Sequence, residues 1–507
     1  MRLDKPNEEA QNERYTDNWS GIRNLNDEVR GARMSVQSTA RSLQGFIEAT
    51  PDLVSYLYND SPGAHSRGRQ DLTPVRPEFT NWRDEQRAWR ESAVLFDQSH
   101  HMPELFVSGP DAFALLNYVG INSLKTLEPG RAKQYIGCTP DGHMIGDCIL
   151  YALADGSFEL VSSSPLLNWV QFQAEAGEWD VAITRDDNTS DNPTGARTKF
   201  RYQLAGPEAL SIFDAVIDEA PLQLGFFRTA TVTVAGVEVL VLGHSMSGYR
   251  GVEISGPYEQ RDIVRQAILD AGTPRGLLQG GTKTYYSASF EGGWMAYPLP
   301  AVYTGEALRP YREWLPDTAW EARFQLAGSF TPDSIEGYYV TPYDMGYGKL
   351  VSFDHDFIGR DALEALADQP QKAKVSLVWN PDDVLKVYGS LLTPGVPYKF
   401  LELPVADYGN LMHRDEVLDA DGNRIGLATK TGYTINERKL LSLAMVDADR
   451  VNIGDEVVIV WGEPDGGSRK PQVERHQQLH VRATVAPSPY ADVVRTERRG
   501  DAAPVTV

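Results

Sequence analysis

Apolar positions along this chain change period as the chain advances, and the changes mark its elements. From Leu43 to Tyr58, LQGFIEATPDLVSYLY carries apolar residues at helical spacing, and Pro51 divides the stretch into two short helices. NDSPGAHSRGRQDLTP (59–74) is a loop by its Gly, Pro, Ser and Asn content. WRDEQRAWRESAVLFD predicts a helix running toward a histidine pair, His100 and His101. ELFVSGPDAFALLNYVG reads as a strand, a turn and a helix N-capped near Asp111. KQYIGCTPDGHMIGDCILYAL reads as a hairpin turning at Asp141-Gly142. RYQLAGPEALSIFDAVI repeats the strand-Gly-Pro-helix pattern farther along, a sign of internal duplication. TATVTVAGVEVLVLG (229–243) alternates strictly and predicts another hairpin. After about residue 370 helices thin out, and VSLVWN, NRIGLAT, DEVVIVWG and HVRATVAP predict a small all-β unit, sandwich or barrel. The fold class is α+β with a C-terminal β domain.

Composition narrows the function. The 507 residues are 41 % apolar and 23 % charged, an ordinary globular balance with room for several domains. A net charge of −22 repels phosphate backbones and anionic membrane surfaces, so nucleic acid and membrane are excluded as expected partners. No apolar run approaches the roughly 18–20 residues that span a bilayer. The opening MRLDKPNEEAQNER lacks the apolar core of a signal peptide. Cys138 and Cys148 flank the first hairpin out of register with each other, which fits a reducing cytoplasm.

Several chemistries lack their usual motifs. The sequence has no GxxxxGK[ST], HExxH, paired CxxC or GxGxxG element. GHSMSG (243–248) imitates the hydrolase elbow GxSxG. Its fifth position is Ser247, however, and YRGVEISG after it predicts a strand where the elbow needs a helix. Read as a strand, His100 and His101 point to opposite faces and cannot grip one ion together. His143 is the one tempting third ligand, and no metal is expected.

Seven segments in order carry a stronger signal. LFDQSHH, FVSGPDAFALL, LEPGRAKQYIGCTPDGHMIGDCILYAL, LAGPEAL, GYRGVEISGPYE, DHDFIGRDALEAL and the run from DADGNRIGLATKTGYTINERKLLSLAMV to VNIGDEVVIVWG resemble the glycine-cleavage T-protein superfamily. Within it, PEFTNWRDEQRAWRESAVLFDQSHHM, AVYTGEALRPYREWLP and GYGKLVSFDHDFIGRDAL are most similar to bacterial tetrahydrofolate-dependent aryl O-demethylases acting on vanillate and syringate. The resemblance implies a T-protein-like folate-binding domain and a C-terminal β-barrel. It divides the chain into an extension and variable loop (1–76), a catalytic region of two subdomains (77–368), a β-rich domain (369–490) and a tail (491–507). The reaction it implies moves the methyl of a small aromatic ether, derived from lignin, to N5 of tetrahydrofolate, leaving a phenol or catechol.

A reduced pterin presents two donors side by side, and a buried carboxylate is their natural bidentate acceptor. Glu253, between Val252 and Ile254, suits that role, which the family gives to this glutamate. By resemblance Gln98 also contacts the pterin, while Val161 and Trp294 supply apolar walls. Tyr285 matches the catalytic tyrosine of the vanillate enzymes, placed to help the ether oxygen leave. His101 matches their active-site histidine. Ser163 stands where those enzymes have an arginine for the substrate carboxylate, and Arg250 is a candidate replacement, with Arg67 and Arg69 as weaker ones. GHMIGD keeps Asp147 alone where aminomethyltransferases carry an acidic pair, which favours demethylation over aminomethyl transfer. Sulfonium or N-methyl donors are the alternative substrates, and a silent folate-binding module the alternative class.

Overall fold

A computed structural model describes residues 42–500 except 66–73, 193, 195, 223, 296–297, 407–412 and 468. Arg67, Arg69 and the first 41 residues therefore lie outside the described residues.

Pro51 does separate two helices, Leu43–Ala49 and Leu53–Asn59, each begun by a capping side chain, Ser42 and Asp52. The helix Trp82–Glu91 starts at Asn81, whose side chain accepts from the Asp84 amide. It stops earlier than the sequence reading placed it. Ser92 leaves helical backbone, and AVLF, fully buried, enters a sheet as a strand. Up to residue 300 the strands run β1 (Ala93–Asp97), β2 (Glu104–Ser108), β3 (Ala132–Cys138), β4 (Met144–Ala152), β5 (Phe158–Val161), β6 (Ala182–Asp186), β7 (Lys199–Ala205), β8 (Thr229–Val234), β9 (Val237–Gly243), β10 (Gly251–Pro257) and β11 (Leu277–Gly280).

These strands build two sheets of one plan. The first has the order β3-β4-β5-β2-β6 and the second β8-β9-β10-β7-β1-β11. In each, a strand, helix, hairpin, strand, helix and strand follow one another along the chain, so the repeated Gly-Pro pattern marks a real duplication. Its two glycines hold the same exceptional backbone, φ +113° at Gly109 and +128° at Gly206. At either one a Cβ would strike a neighbouring carbonyl, of Asp180 or of Ser92, at 2.5 or 2.6 Å. The repeats differ by β1, which slips between β7 (antiparallel) and β11 (parallel).

A buried charge cluster joins the sheets. Arg201 on β7 reaches Glu104 on β2 at 2.9 Å, Glu159 on β5 at 2.8 Å and the Tyr151 hydroxyl on β4 at 3.1 Å. Burial opposes ionisation of Glu159, but Lys199 and Arg201 outweigh it and hold its carboxyl below the ordinary value. Glu104 is pushed the other way, because burial there outweighs Arg201.

Beyond residue 370 come β12 (Lys372–Trp379), β13 (Asp415–Leu418), β14 (Arg424–Thr434), β15 (Lys439–Asp447), β16 (Glu456–Trp461) and β17 (Leu479–Ala486). They close into a barrel in the order β12-β15-β14-β13-β16-β17, which settles sandwich against barrel. Trp379 and Trp461 pack edge to face inside it, ring centres 5.4 Å apart. The barrel is bolted to the helix Thr282–Gly292. Gly432 on β14 lies so close to the Phe290 ring that a Cβ there would sit 1.9 Å from it. Gln86 bridges the same seam, donating to Ser287 Oγ at 2.8 Å and accepting from the Ile435 amide at 2.9 Å. Among the described residues no helix is long and apolar enough to cross a membrane.

Candidate active site

The two sheets, the helix Thr282–Gly292 and the barrel enclose a cavity of about 900 Å³. That volume suits two small ligands held side by side. Tyr285, Tyr286 and Ser289 face it from the helix, Asp147 from β4, Glu253 from β10, and Lys374 and Lys430 from the barrel strands.

At its centre is the Tyr285 hydroxyl. It lies 3.1 Å from His101 Nε2, receives a hydrogen bond from Gln98 Nε2 at 3.3 Å and donates to Met246 Sδ at 2.8 Å. Phe96 meets the Tyr285 ring edge-on at 5.4 Å and fixes its plane. The histidine pair is not in a strand, as its sequence context predicted. β1 ends at Asp97, whose carboxylate accepts from the Ser99 amide at 3.0 Å, and the chain turns through Ser99 to His101. The turn still separates the imidazoles. His101 joins the main cavity, and His100 contacts Thr189 at 2.9 Å and lines a second cavity with Asp97 and Tyr258.

Glu253 is 3 % exposed, so its carboxylate needs partners. His244 Nδ1 lies 2.7 Å from one oxygen, and the other faces Tyr151 at 3.5 Å and Arg201 at 3.7 Å. Burial works against its ionisation, yet His244 and Arg201 hold the carboxyl below the usual glutamate value. Gln98 Oε1, also buried, has no hydrogen-bond partner among the described residues. A buried anion on the cavity wall fits a ligand that carries adjacent N–H donors, and the orphaned Gln98 acceptor belongs to a side chain that bonds the cavity-lining Tyr285.

Asp147 behaves differently. Burial raises its carboxyl to about 6, although Tyr347, Lys374 and Trp294 favour the charged form. Tyr347 donates to it at 3.0 Å, and Gln134 also hydrogen-bonds it.

Of the residues singled out in the sequence, Tyr285, His101, Glu253, Val161, Trp294 and Ser163 line this cavity, and Gln98 touches it through Tyr285. Ser163 begins the helix Ser164–Ala176 without capping it. Arg250 is the exception. It is exposed in the bend just before β10 and is not among the residues that line this cavity. The cations among the described lining residues are Lys133, Lys349, Lys374 and Lys430. Sequence reasoning passed over His244, hidden in the hydrolase look-alike GHSMSG. There the Ser245 hydroxyl shares a hydrogen bond with Ser247 Oγ at 2.9 Å, and β10 follows where an elbow needs a helix.

The GCVT N-terminal domain model matches residues 54–299, the two repeated sheets with the helix that bears Tyr285. The chain belongs to the GCVT family, as an enzyme of its group-transfer kind. It is 42 % identical over 457 residues to syringate O-demethylase of Sphingobium sp. (strain NBRC 103272 / SYK-6), covering 90 % of this chain and 97 % of that protein. It is also 31 % identical over 401 residues to sesamin methylene transferase of Sinomonas sp. (strain No.22), covering 76 % of this chain and 83 % of that one. The crystal structure of the glycine cleavage system aminomethyltransferase T from Bartonella henselae shares the fold. Its TM-score is 0.55 at 18 % identity, over 81 % of this chain and 90 % of that one.

Proposed function

We propose that the protein is a tetrahydrofolate-dependent O-demethylase of methoxylated aromatic acids of the syringate kind. Vanillate-type rings from lignin are further substrates, and the reaction takes place in the cytoplasm. The observation that carries this reading is the Tyr285 hydroxyl, held by His101 and Gln98 in the same cavity as the buried Glu253 carboxylate.

The ether methyl–oxygen bond breaks, the methyl carbon bonds to N5 of tetrahydrofolate, and the electron pair leaves with the ring oxygen. Net, the proton lost at N5 appears on the phenol. Glu253 and Gln98 supply acceptors for the pterin's amide edge, and Val161 and Trp294 wall its flat ring. Tyr285 donates to the departing oxygen, which is a poor leaving group as a bare phenolate. His101, 3.1 Å away, replaces that proton and orients the hydroxyl. Packing of Tyr285 against Phe96 keeps the donor from drifting, and positioning of this sort contributes much of the rate in a displacement.

Donors that carry positive charge, sulfonium or N-methyl compounds and aminomethyl groups, fit less well. They would meet four lysines along the same cavity wall. The test is purified protein with tetrahydrofolate and a panel of syringate, vanillate, 3-O-methylgallate, guaiacol and dimethylsulfoniopropionate, with 5-methyltetrahydrofolate read by chromatography. Methyl transfer from the aromatic acids is expected; transfer from none of the aromatics overturns the reading.

A further inference from the structure

Four non-glycine residues among those described have left-handed backbone: Phe227, Ala235, Lys430 and Arg438. Ala235 and Arg438 sit in hairpin turns, β8 to β9 and β14 to β15, where that conformation is ordinary. Phe227 and Lys430 both line the cavity. At Lys430 the cause is a bulge. β14 pairs with β15 through Thr429 opposite Leu443 and Gly432 opposite Leu441, so Lys430 and Thr431 together oppose Ser442. Thr431 is pinned on three sides. Its hydroxyl contacts Ser442 Oγ at 2.6 Å, its amide faces His413 Nε2 at 3.4 Å, and its carbonyl accepts from Ala406 at 2.9 Å. The bulge therefore keeps a fixed shape, and it turns Lys430, 6 % exposed, out of the strand's alternation toward the cavity.

Backbone strain of this kind persists where the surroundings hold it and is concentrated at binding sites. Lys133 and Lys374 stand elsewhere in the lining. Lys133 gives its ammonium to the Ser123 carbonyl, at the end formed by Asn122, Lys349 and Ser352. Lys374 lies over the Tyr347 ring at 5.8 Å and adds its charge beside Asp147. Lys430 instead enters on the side of the helix Thr282–Gly292. Two residues on, Gly432 meets Phe290 of that helix, and Tyr285, Tyr286 and Ser289 present its cavity face.

We infer that Lys430, delivered by the β14 bulge, binds the carboxylate of the aromatic acid and sets the enzyme's preference for acids over neutral rings. This rests on the demethylase reading and adds the specificity residue to it. A lysine reaching from the barrel would do the work for which Ser163 has no charge, holding the acid as a point cation while Tyr285 meets the ether end of the ring.

The test compares wild type, Lys430→Met, Lys430→Arg and Lys430→Gly on syringate and on 2,6-dimethoxyphenol, the same ring without its carboxylate. Calorimetric binding of syringate without tetrahydrofolate is the second readout. Lys430→Met is expected to raise KM for syringate at least 30-fold, leave kcat within threefold and leave the neutral ring within twofold; Lys430→Arg recovers part of the loss. Lys430→Gly, which accepts the left-handed backbone, loses the same preference without a lower thermal midpoint, and so separates binding from folding. Equal losses on both rings, or a KM change for tetrahydrofolate in place of syringate, overturn the assignment. So does syringate binding that is unchanged by Lys430→Met. Wild-type protein that demethylates neither ring overturns the functional reading itself, while the calorimetric comparison still decides whether Lys430 binds the acid.

Discussion

Replacing Asp147 with Asn changes one charge in the cavity and little of its shape. In the folded protein burial lifts this carboxyl from 3.8 to about 6, against the opposing pull of Tyr347, Lys374 and Trp294. The rise of about 2 pH units is worth roughly 3 kcal/mol at about 1.36 kcal/mol per unit, a ceiling because the side chain is only half-buried. The sign follows from proton binding. Between roughly pH 4 and pH 6 the folded state keeps a proton that the unfolded chain has lost, so this group lowers stability progressively as pH rises through that window. Above the window the cost stays at its full value. Asn has no proton to lose, and its carbonyl can still accept from Tyr347. Urea midpoints of ligand-free wild type and Asp147→Asn should be measured from pH 4 to pH 7.5. The variant is expected to be the more stable, with an advantage that widens by about 2 kcal/mol between pH 4 and pH 7. A pH-independent difference, or a variant that is less stable at pH 7, refutes the reasoning.

Three further outcomes follow from the same geometry. Tyr285→Phe keeps the ring packing on Phe96 but removes the proton donor, so kcat for syringate should fall by about 10²–10³ with tetrahydrofolate binding unchanged. Glu253→Gln keeps an acceptor but loses the charge that His244 and Arg201 stabilise; tetrahydrofolate affinity, read by calorimetry, should weaken by roughly 10–100-fold, about 1.5–3 kcal/mol. Gly432→Ala forces a methyl group against the Phe290 ring and the Pro404 carbonyl, and the thermal midpoint should drop by an amount equivalent to about 2 kcal/mol or more.

Much of this site could be read from the sequence, where the residues stand in local patterns with a chemical meaning. Glu253 stood out as a carboxylate between two apolar neighbours, and burial at 3 % exposure agrees with that pattern. The two Gly-Pro motifs announced the duplication because both must hold a left-handed glycine against a neighbouring strand or loop. The backbone around His100 and His101 was misread as strand, though Asp97 followed by Ser99 carried the signal of a side-chain-capped turn. Arg250 was placed in the site by its charge, yet it stands exposed in the bend that precedes β10, a position its sequence pattern did not signal. Lys374 and Lys430 had no local signal at all. They reach the cavity only because the barrel packs on a helix more than eighty residues earlier in the chain.

The intercalation of β1 between β7 and β11 has a consequence for how the chain tolerates insertion and deletion. A strand paired on both edges cannot slip by one residue without exchanging all its inward and outward side chains, and β1 is paired on both. Gln98 and His101 follow within four residues of its last one, Asp97, so their placement is inherited from that register. Lengthening or shortening the chain by a single residue within Ala93–Asp97 therefore removes both side chains from Tyr285 at once. The hairpin tip at Ala235-Gly236, where a Cβ on Gly236 would meet no atom within 4 Å, is the kind of place where added residues leave the cavity unaltered.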